Sequence, residues 1–123
     1  MKKYKTVQTL LAHASIEPNQ HHGFVNTPVY RGSTVAFPTS ESMREGRQKY
    51  AYGRWNNPST AALTLALQQL EGAEGTVLCP SGLSACTTAI LSVVGAGDHL
   101  LIADNVYSPI RAFCEQVGRR LGI

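Results

Sequence analysis

A regular alternation of apolar runs and turn residues in the second half of the chain constrains the fold more than any other feature. Asn57 and Pro58 suit the cap and the first position of a helix. Short apolar runs at 76–79 and 99–103 predict strands, and a helical pattern follows each of them. Helix, strand, helix, strand and helix in this order predict an α/β fold with right-handed crossovers and a mostly parallel sheet over 56–123.

The helices of this half have predicted limits. The first begins after Asn57 and ends at Gly72. The second covers 83–94, and the third opens at Ser108. The apolar faces consist of Leu63, Leu67 and Leu70 in the first helix and of Ile110, Phe113, Cys114, Val117 and Leu121 in the third. The nearly continuous apolar run at 99–103 is expected to be covered on both faces of a sheet.

Residues 1–55 are irregular and rich in proline and polar residues, and they are predicted to form an arm. Val7 and Leu11 suggest a short amphipathic helix near its start. A second short helix is predicted at 41–49, with Ser40 as its N-cap. The change in character near residue 56 therefore predicts an arm followed by the first part of a larger domain.

Length and composition limit the possible functions. A chain of 123 residues can bury one modest core but is short for the two domains that a cofactor enzyme usually needs, so we expect a fragment. The sequence is 43% hydrophobic and 15% charged, which is typical of a folded, soluble protein. No apolar run reaches the length of a membrane span, and the first residues do not resemble a signal peptide. Neither a membrane protein nor an exported one is expected.

The net charge of +3 arises in the first half of the chain. The only tight basic cluster consists of Lys2, Lys3 and Lys5, and it lacks interleaved aromatic residues, so nucleic-acid binding is not expected. The three cysteines, Cys79, Cys86 and Cys114, are odd in number and lie in apolar runs. This usage is typical of reduced thiols and predicts a cytoplasmic protein.

Two turns follow the predicted strands, where ligands collect in α/β proteins. In the first, Gly82 would let the backbone approach an anion and Ser81 would add a hydroxyl donor. Taken alone, a capped helix start is more often purely structural. In the second, the loop 104–108 carries Tyr107, and a single loop tyrosine is more often a packing residue.

Two other kinds of site are not expected. A dinucleotide site requires a GxGxxG motif after a strand, and the sequence has none. Gly95 and Gly97 precede a predicted strand, which is the wrong order. His21 and His22 lack a matched set of cysteines or carboxylates, so we expect them to be solvated and predict no metal site.

The segment 50–60 contains Tyr52, Arg54, Asn57, Pro58 and Ser59. It resembles the YxRxxNPT motif of the Cys/Met-metabolism enzymes that depend on pyridoxal 5'-phosphate (PLP), with Ser59 in place of the usual threonine. Residues 28–37, 81–85 and 97–107 resemble further motifs of that family in the same order. The resemblance covers essentially the whole chain and implies an arm plus the start of the large domain of a fold type I PLP-dependent transferase fold.

The resemblance also implies roles for individual residues. Tyr52 and Arg54 would reach across a dimer interface to the cofactor phosphate of the neighbouring chain. The implied assembly is a homo-oligomer, with a homotetramer expected. Gly82 and Leu83 would offer backbone N–H groups to the phosphate of the chain's own cofactor, and Tyr107 would stack on its pyridine ring. A forked guanidinium and a phenol are donors that suit a phosphate dianion.

Residues 107–114 resemble the tyrosine-x-proline loop of cystathionine β-lyases. The implied activity is a carbon–sulfur lyase of trans-sulfuration and methionine biosynthesis, which converts cystathionine to homocysteine, pyruvate and ammonia. Cystathionine γ-synthase, cystathionine γ-lyase and methionine γ-lyase stay open, as does a non-enzymatic fragment that pairs with an intact subunit. The lysines are Lys2, Lys3, Lys5 and Lys49. None lies in a site-like context, so the Schiff-base lysine is expected to be absent and the chain alone inactive.

Overall fold

The computed structural model describes residues 6–123, which leaves Lys2, Lys3 and Lys5 outside the described part. Its α-helices are α1 (Val7–His13), α2 (Ser40–Arg44), α3 (Pro58–Glu71), α4 (Gly82–Leu91) and α5 (Ser108–Phe113), with a 3₁₀ turn at Pro18–Gln20 and a π-helical turn at Cys114–Gly118. The chain forms two compact units. The first ends at Val77, and the second is Leu78–Ile123. The predicted arm was defined as the part of the chain that contacts a neighbouring subunit. Because the structure is of a single chain, the arm boundary near residue 56 stays a prediction.

Helix α3 begins and ends where the sequence predicts. The Asn57 side-chain oxygen accepts hydrogen bonds from the backbone N–H groups of Ser59 at 3.0 Å and Thr60 at 3.1 Å. These are first-turn donors that have no acceptor within the helix. Gly72 ends the helix in the left-handed conformation, with a φ of 64°. Helix α1 packs against α3, and the prediction of a short helix near Val7 is confirmed as well.

Helix α2 differs from the prediction in its cap and its length. Thr39, rather than Ser40, is the N-cap, because its hydroxyl accepts from the backbone N–H of Ser42 at 3.1 Å. The Ser42 hydroxyl in turn accepts from the backbone N–H of Thr39 at 3.3 Å, which completes a capping box. Gly46 then takes a left-handed φ of 62° and stops the helix. The predicted extent of 41–49 is therefore wrong.

Helices α4 and α5 occur in the predicted order and pack against each other. Helix α4 stops earlier than predicted, because the backbone N–H groups of Val93 and Val94 both bond to the Ile90 carbonyl in a turn. Helix α5 opens at Ser108 as predicted but continues into the π-helical turn, where the N–H of Arg119 bonds to the Cys114 carbonyl.

The two predicted strands are not formed. Within residues 6–123 no strand is present, and the only bridge is an isolated antiparallel one between Thr34 and Tyr52. A strand exists through hydrogen bonds to a neighbouring strand. Neither 76–79 nor 99–103 has such a partner in the described chain. The expectation that the run at 99–103 is covered on both faces is also wrong, since Leu101 is 87% exposed.

The apolar faces of the helices are only half-covered. Across the described residues no hydrophobic side chain is buried. Leu63 of α3 is 50% exposed and Val117, after α5, is 40% exposed. The structure therefore presents much more apolar surface than a self-contained domain would. No helix in the described range is long and apolar enough to cross a membrane.

His21 corrects one expectation, because it is buried, with only 7% of its surface exposed. The 3₁₀ turn folds the chain back at this point, and the His21 N–H bonds to the Pro18 carbonyl at 2.9 Å. The imidazole ring then lies 6.3 Å from the ring of Tyr30. His22 is exposed, as expected. Among the residues that the structure describes, no group of three metal-binding side chains comes together.

Candidate functional site

Tyr52 and Arg54 form a contacting pair in the first unit. The Arg54 Nε donates a hydrogen bond to the Tyr52 hydroxyl at 2.7 Å, and its guanidinium carbon lies 5.1 Å from the centre of the phenol ring. Trp55 meets the same ring edge-on, with centroids 5.5 Å apart. Tyr52 is half-buried and Arg54 is exposed. We call this pair the Tyr52–Arg54 clamp.

The turn that carries the clamp is held by backbone contacts. The Gly53 N–H donates to the Ser33 carbonyl at 2.7 Å, and the Trp55 N–H donates to the Tyr52 carbonyl at 3.0 Å. Gly53 is buried, and a Cβ at this position would lie 2.2 Å from the Gly32 carbonyl oxygen. Only glycine fits here without moving the backbone. The close contact at Gly53 therefore fixes the backbone from which the Tyr52 and Arg54 side chains extend.

Asn57 and Ser59 join this turn to its surroundings. The Asn57 amide nitrogen donates to the Gly53 carbonyl at 3.0 Å while its oxygen caps α3. The Ser59 hydroxyl donates to the Pro28 carbonyl at 2.8 Å and accepts from the Tyr30 N–H at 2.8 Å. Sequence reasoning identified Asn57 only as a cap and assigned Ser59 no contact. Ser59 keeps the hydroxyl of the threonine that the motif has at this position, and that hydroxyl was the sequence signal for the contact.

The first turn of α4 offers free donors in the second unit. The Ser81 hydroxyl accepts from the Ser84 N–H at 3.1 Å, and the Ser81 carbonyl accepts from the Ala85 N–H at 3.0 Å. The N–H groups of Gly82 and Leu83 belong to the set that no helix can satisfy internally. A Cβ at Gly82 would meet nothing within 4 Å, so the space beside this backbone is open. An anion can approach these two donors closely, aided by the helix dipole.

Tyr107 stands at the N-terminus of α5 and is 66% exposed. Its carbonyl accepts from the backbone N–H groups of Ile110 at 2.9 Å and Arg111 at 3.3 Å. The Arg111 side chain donates to the Asp104 carbonyl and, at 2.6 Å, to the Asp104 carboxylate. We call 104–107 the Tyr107 loop. Sequence reasoning placed the loop correctly but missed the Asp104–Arg111 contact.

The predicted site residues thus fall into two groups. Tyr52 and Arg54 are brought together in the first unit. Gly82, Leu83 and Tyr107 belong to the second, where they stand at the starts of the two helices that pack on each other. Their roles toward a cofactor stay predictions.

A sequence profile described as Cys/Met metabolism PLP-dependent enzyme matches residues 8–123. The chain belongs to this family. The match includes both parts of the candidate site, the clamp and the α4 and α5 helix starts. The resemblance inferred from the YxRxxNPT-like segment is therefore confirmed at the level of the family.

Individual relatives extend this finding. A protein of Rhizobium johnstonii named "Putative cystathionine beta-lyase" is 47% identical over 95% of this chain, which spans 30% of that protein. The cystathionine beta-lyase of Bordetella avium is 35% identical over 97% of the chain, and the chain spans 33% of its length. The crystal structure of cystathionine gamma-lyase from Lactobacillus plantarum, complexed with L-serine, matches with a TM-score of 0.81 and 26% identity. That match covers 95% of this chain and 29% of the other. The chain thus corresponds to about a third of the length of such family members.

Proposed function

We propose that this chain is the amino-terminal part of a PLP-dependent carbon–sulfur lyase that cleaves cystathionine to homocysteine, pyruvate and ammonia. The Tyr52–Arg54 clamp is the observation that carries the proposal, because it brings a guanidinium and a phenol hydroxyl, both hydrogen-bond donors, into direct contact. The names of the relatives from Rhizobium and Bordetella support the β-lyase activity. We further propose that the enzyme works in the cytoplasm, on the sequence argument from its three cysteines.

The clamp fits a phosphate dianion. Arg54 uses Nε for its bond to Tyr52, and within the described residues its two terminal nitrogens have no acceptor. The Tyr52 hydroxyl accepts from Nε, so its own proton stays free to be donated to a ligand. Both groups can therefore donate hydrogen bonds to one anion. We propose that this anion is the cofactor phosphate of the neighbouring subunit in a homo-oligomer.

The second group of residues fits the chain's own cofactor. Gly82 and Leu83 offer two backbone N–H groups beside open space, and Ser81 fixes the helix start without blocking them. The exposed Tyr107 can cover one face of an aromatic ring and exclude water from it. When bound, PLP stores the electron pair that is released as the Cα–H bond of an amino acid breaks. Tyr107 would hold the ring plane in the orientation which that bond cleavage requires.

The lysine that anchors PLP is proposed to lie outside residues 1–123, so that this chain alone is inactive. Lys49 is the one lysine in the described range, and its Nζ lies 5.2 Å from the centre of the Tyr50 ring. Tyr50 is not one of the candidate site residues. The half-covered helix faces agree with a chain that packs against further polypeptide.

Products and cofactor retention test this proposal on the complete protein. With cystathionine as substrate, we expect homocysteine and pyruvate. The structural match to a cystathionine gamma-lyase favours one alternative, γ-elimination, which would release cysteine and 2-oxobutyrate instead. A complete protein that binds no PLP would overturn the family-based function altogether.

The clamp is tested by Arg54→Met. We expect PLP to be held about tenfold to a hundredfold less tightly, because a hydrogen bond to a charged group contributes roughly 1.5–3 kcal/mol. The measurement is the dissociation constant of the cofactor from its absorbance. Arg31→Met, which changes another exposed arginine of the same unit, is the matched control and should leave the constant unchanged. Equal constants for the two variants would contradict the clamp.

A further inference from the structure

Arg111 contacts both ends of the Tyr107 loop. Its Nη2 atom donates to the backbone carbonyl of Asp104 and also to the Asp104 carboxylate, at 2.6 Å. Its backbone N–H donates to the carbonyl of Tyr107 at 3.3 Å. A single residue of α5 therefore fixes the first and the last residue of the loop.

The rest of the loop is held weakly. The Val106 N–H bonds to the Ala103 carbonyl at 3.1 Å. The Asp104 side chain is 99% exposed, and Tyr107 is 66% exposed. In the part of the chain that the structure describes, the Tyr107 ring has no aromatic or cationic partner. With the ring largely exposed, its direction depends mainly on the backbone that carries it, and so on Arg111.

We propose that Arg111 is a positioning residue, which orients Tyr107 for cofactor binding through its contact with Asp104. This inference rests on the proposed role of Tyr107. The guanidinium suits the task because one terminal nitrogen carries two protons and can bond a carbonyl and a carboxylate at once. The planar guanidinium fixes the directions of the two N–H bonds of this nitrogen. Lysine keeps the charge but presents it on a flexible stem, so it would restore the contact only in part.

The test compares Arg111→Met and Arg111→Lys in the complete protein. We expect Arg111→Met to raise the dissociation constant for PLP about threefold, the size suited to an exposed ion pair that acts through a neighbour. The visible circular dichroism of the bound cofactor should fall, because the ring that stacks on it is less ordered. Arg111→Lys should lie between the methionine variant and the unchanged protein in both measurements.

A matched control separates positioning from general stability. Arg47 makes exposed ion pairs with Glu41, at 3.6 Å, and with Glu45, in the other unit. Arg47→Met should lower the unfolding temperature as much as Arg111→Met does but leave the cofactor signals unchanged. Asp104→Ala is the second variant, to be used if Arg111→Met folds poorly, because it removes only an exposed carboxylate. We expect it to raise the dissociation constant for PLP about twofold.

Two outcomes distinguish failure of this inference from failure of the proposed function. If Tyr107→Ala weakens cofactor binding while Arg111→Met and Asp104→Ala change neither the constant nor the circular dichroism, Arg111 does not position Tyr107. If Tyr107→Ala itself leaves cofactor binding intact, the proposed role of Tyr107 is wrong and the inference about Arg111 is wrong with it.

Discussion

Gly53 and Gly82 both stand beside proposed phosphate contacts, but their surroundings are opposite. Gly53 is buried, and a Cβ there would lie 2.2 Å from the Gly32 carbonyl oxygen. Gly82 is exposed, and a Cβ there would meet nothing within 4 Å. Gly53 is therefore required by the fold of the chain. Nothing within the described residues requires Gly82, and close approach by a ligand is the reason that we propose for it.

This difference shows that the two parts of the candidate site are held in place in different ways. The clamp turn is held by backbone hydrogen bonds and by the buried Gly53, with further support from the side chains of Asn57 and Ser59. The α4 start and the Tyr107 loop depend on side chains, namely Ser81 and Arg111. We expect substitutions at the residues that hold the clamp turn, Gly53 and Ser59, to act mainly on stability. Those at the α4 start and in the Tyr107 loop should act mainly on ligand binding.

The largest effect is expected for Gly53→Ala. The added methyl group must displace the 32–33 backbone, at a cost of roughly 1–3 kcal/mol in the free energy of unfolding. Denaturant unfolding of the complete protein measures it. Gly32→Ala is the matched control, since its Cβ would meet nothing within 4 Å. If both variants unfold alike, the contrast between the two glycines of the site loses its basis.

Ser59→Ala should have the next largest effect. It removes a donor to the Pro28 carbonyl and an acceptor for the Tyr30 N–H, both at 2.8 Å. We expect a loss of about 1–2 kcal/mol in unfolding free energy, because the partly covered Pro28 carbonyl and the exposed Tyr30 N–H both lose their partner. Ser59→Thr keeps the hydroxyl and should stay close to the unchanged protein in the same unfolding measurement. A threonine variant as unstable as the alanine variant would mean that the contact depends on more than the hydroxyl.

Sequence reasoning reached those features that depend on local chemistry. The Asn57 cap, the Gly72 stop and the opening of α5 at Ser108 follow from residues a few positions apart, and the structure confirms them. The runs at 76–79 and 99–103 failed as strands because pairing needs a partner that composition does not supply. The cap of α2 was misplaced because Thr39 and Ser40 are equally suitable caps in sequence, and its predicted end was wrong because Gly46 stops the helix.

The candidate site shows the same division. The motif located Tyr52 and Arg54, but their direct contact was not predicted, because it depends on the turn at Gly53. The contacts of Ser59 with Pro28 and of Gly53 with Gly32 join residues far apart in the chain. They could not be inferred, because they depend on the path of the irregular segment between them. Non-local backbone contacts of this kind carry no periodic signal.

The smallest effect on folding is expected for Gly82→Ala. This variant also gives the most direct test of the contrast between Gly53 and Gly82. The methyl group enters open space at the first position of α4, so the unfolding free energy should change by less than about 0.5 kcal/mol. It would also occupy part of the space from which an anion reaches the Gly82 and Leu83 N–H groups, so we expect about a threefold weaker hold on PLP. Spectroscopic titration of the complete protein measures this, with Ala85→Gly, one turn along the same helix, as the control for helix propensity. Unchanged cofactor binding in Gly82→Ala would show that the open space beside this helix start is not where the phosphate sits.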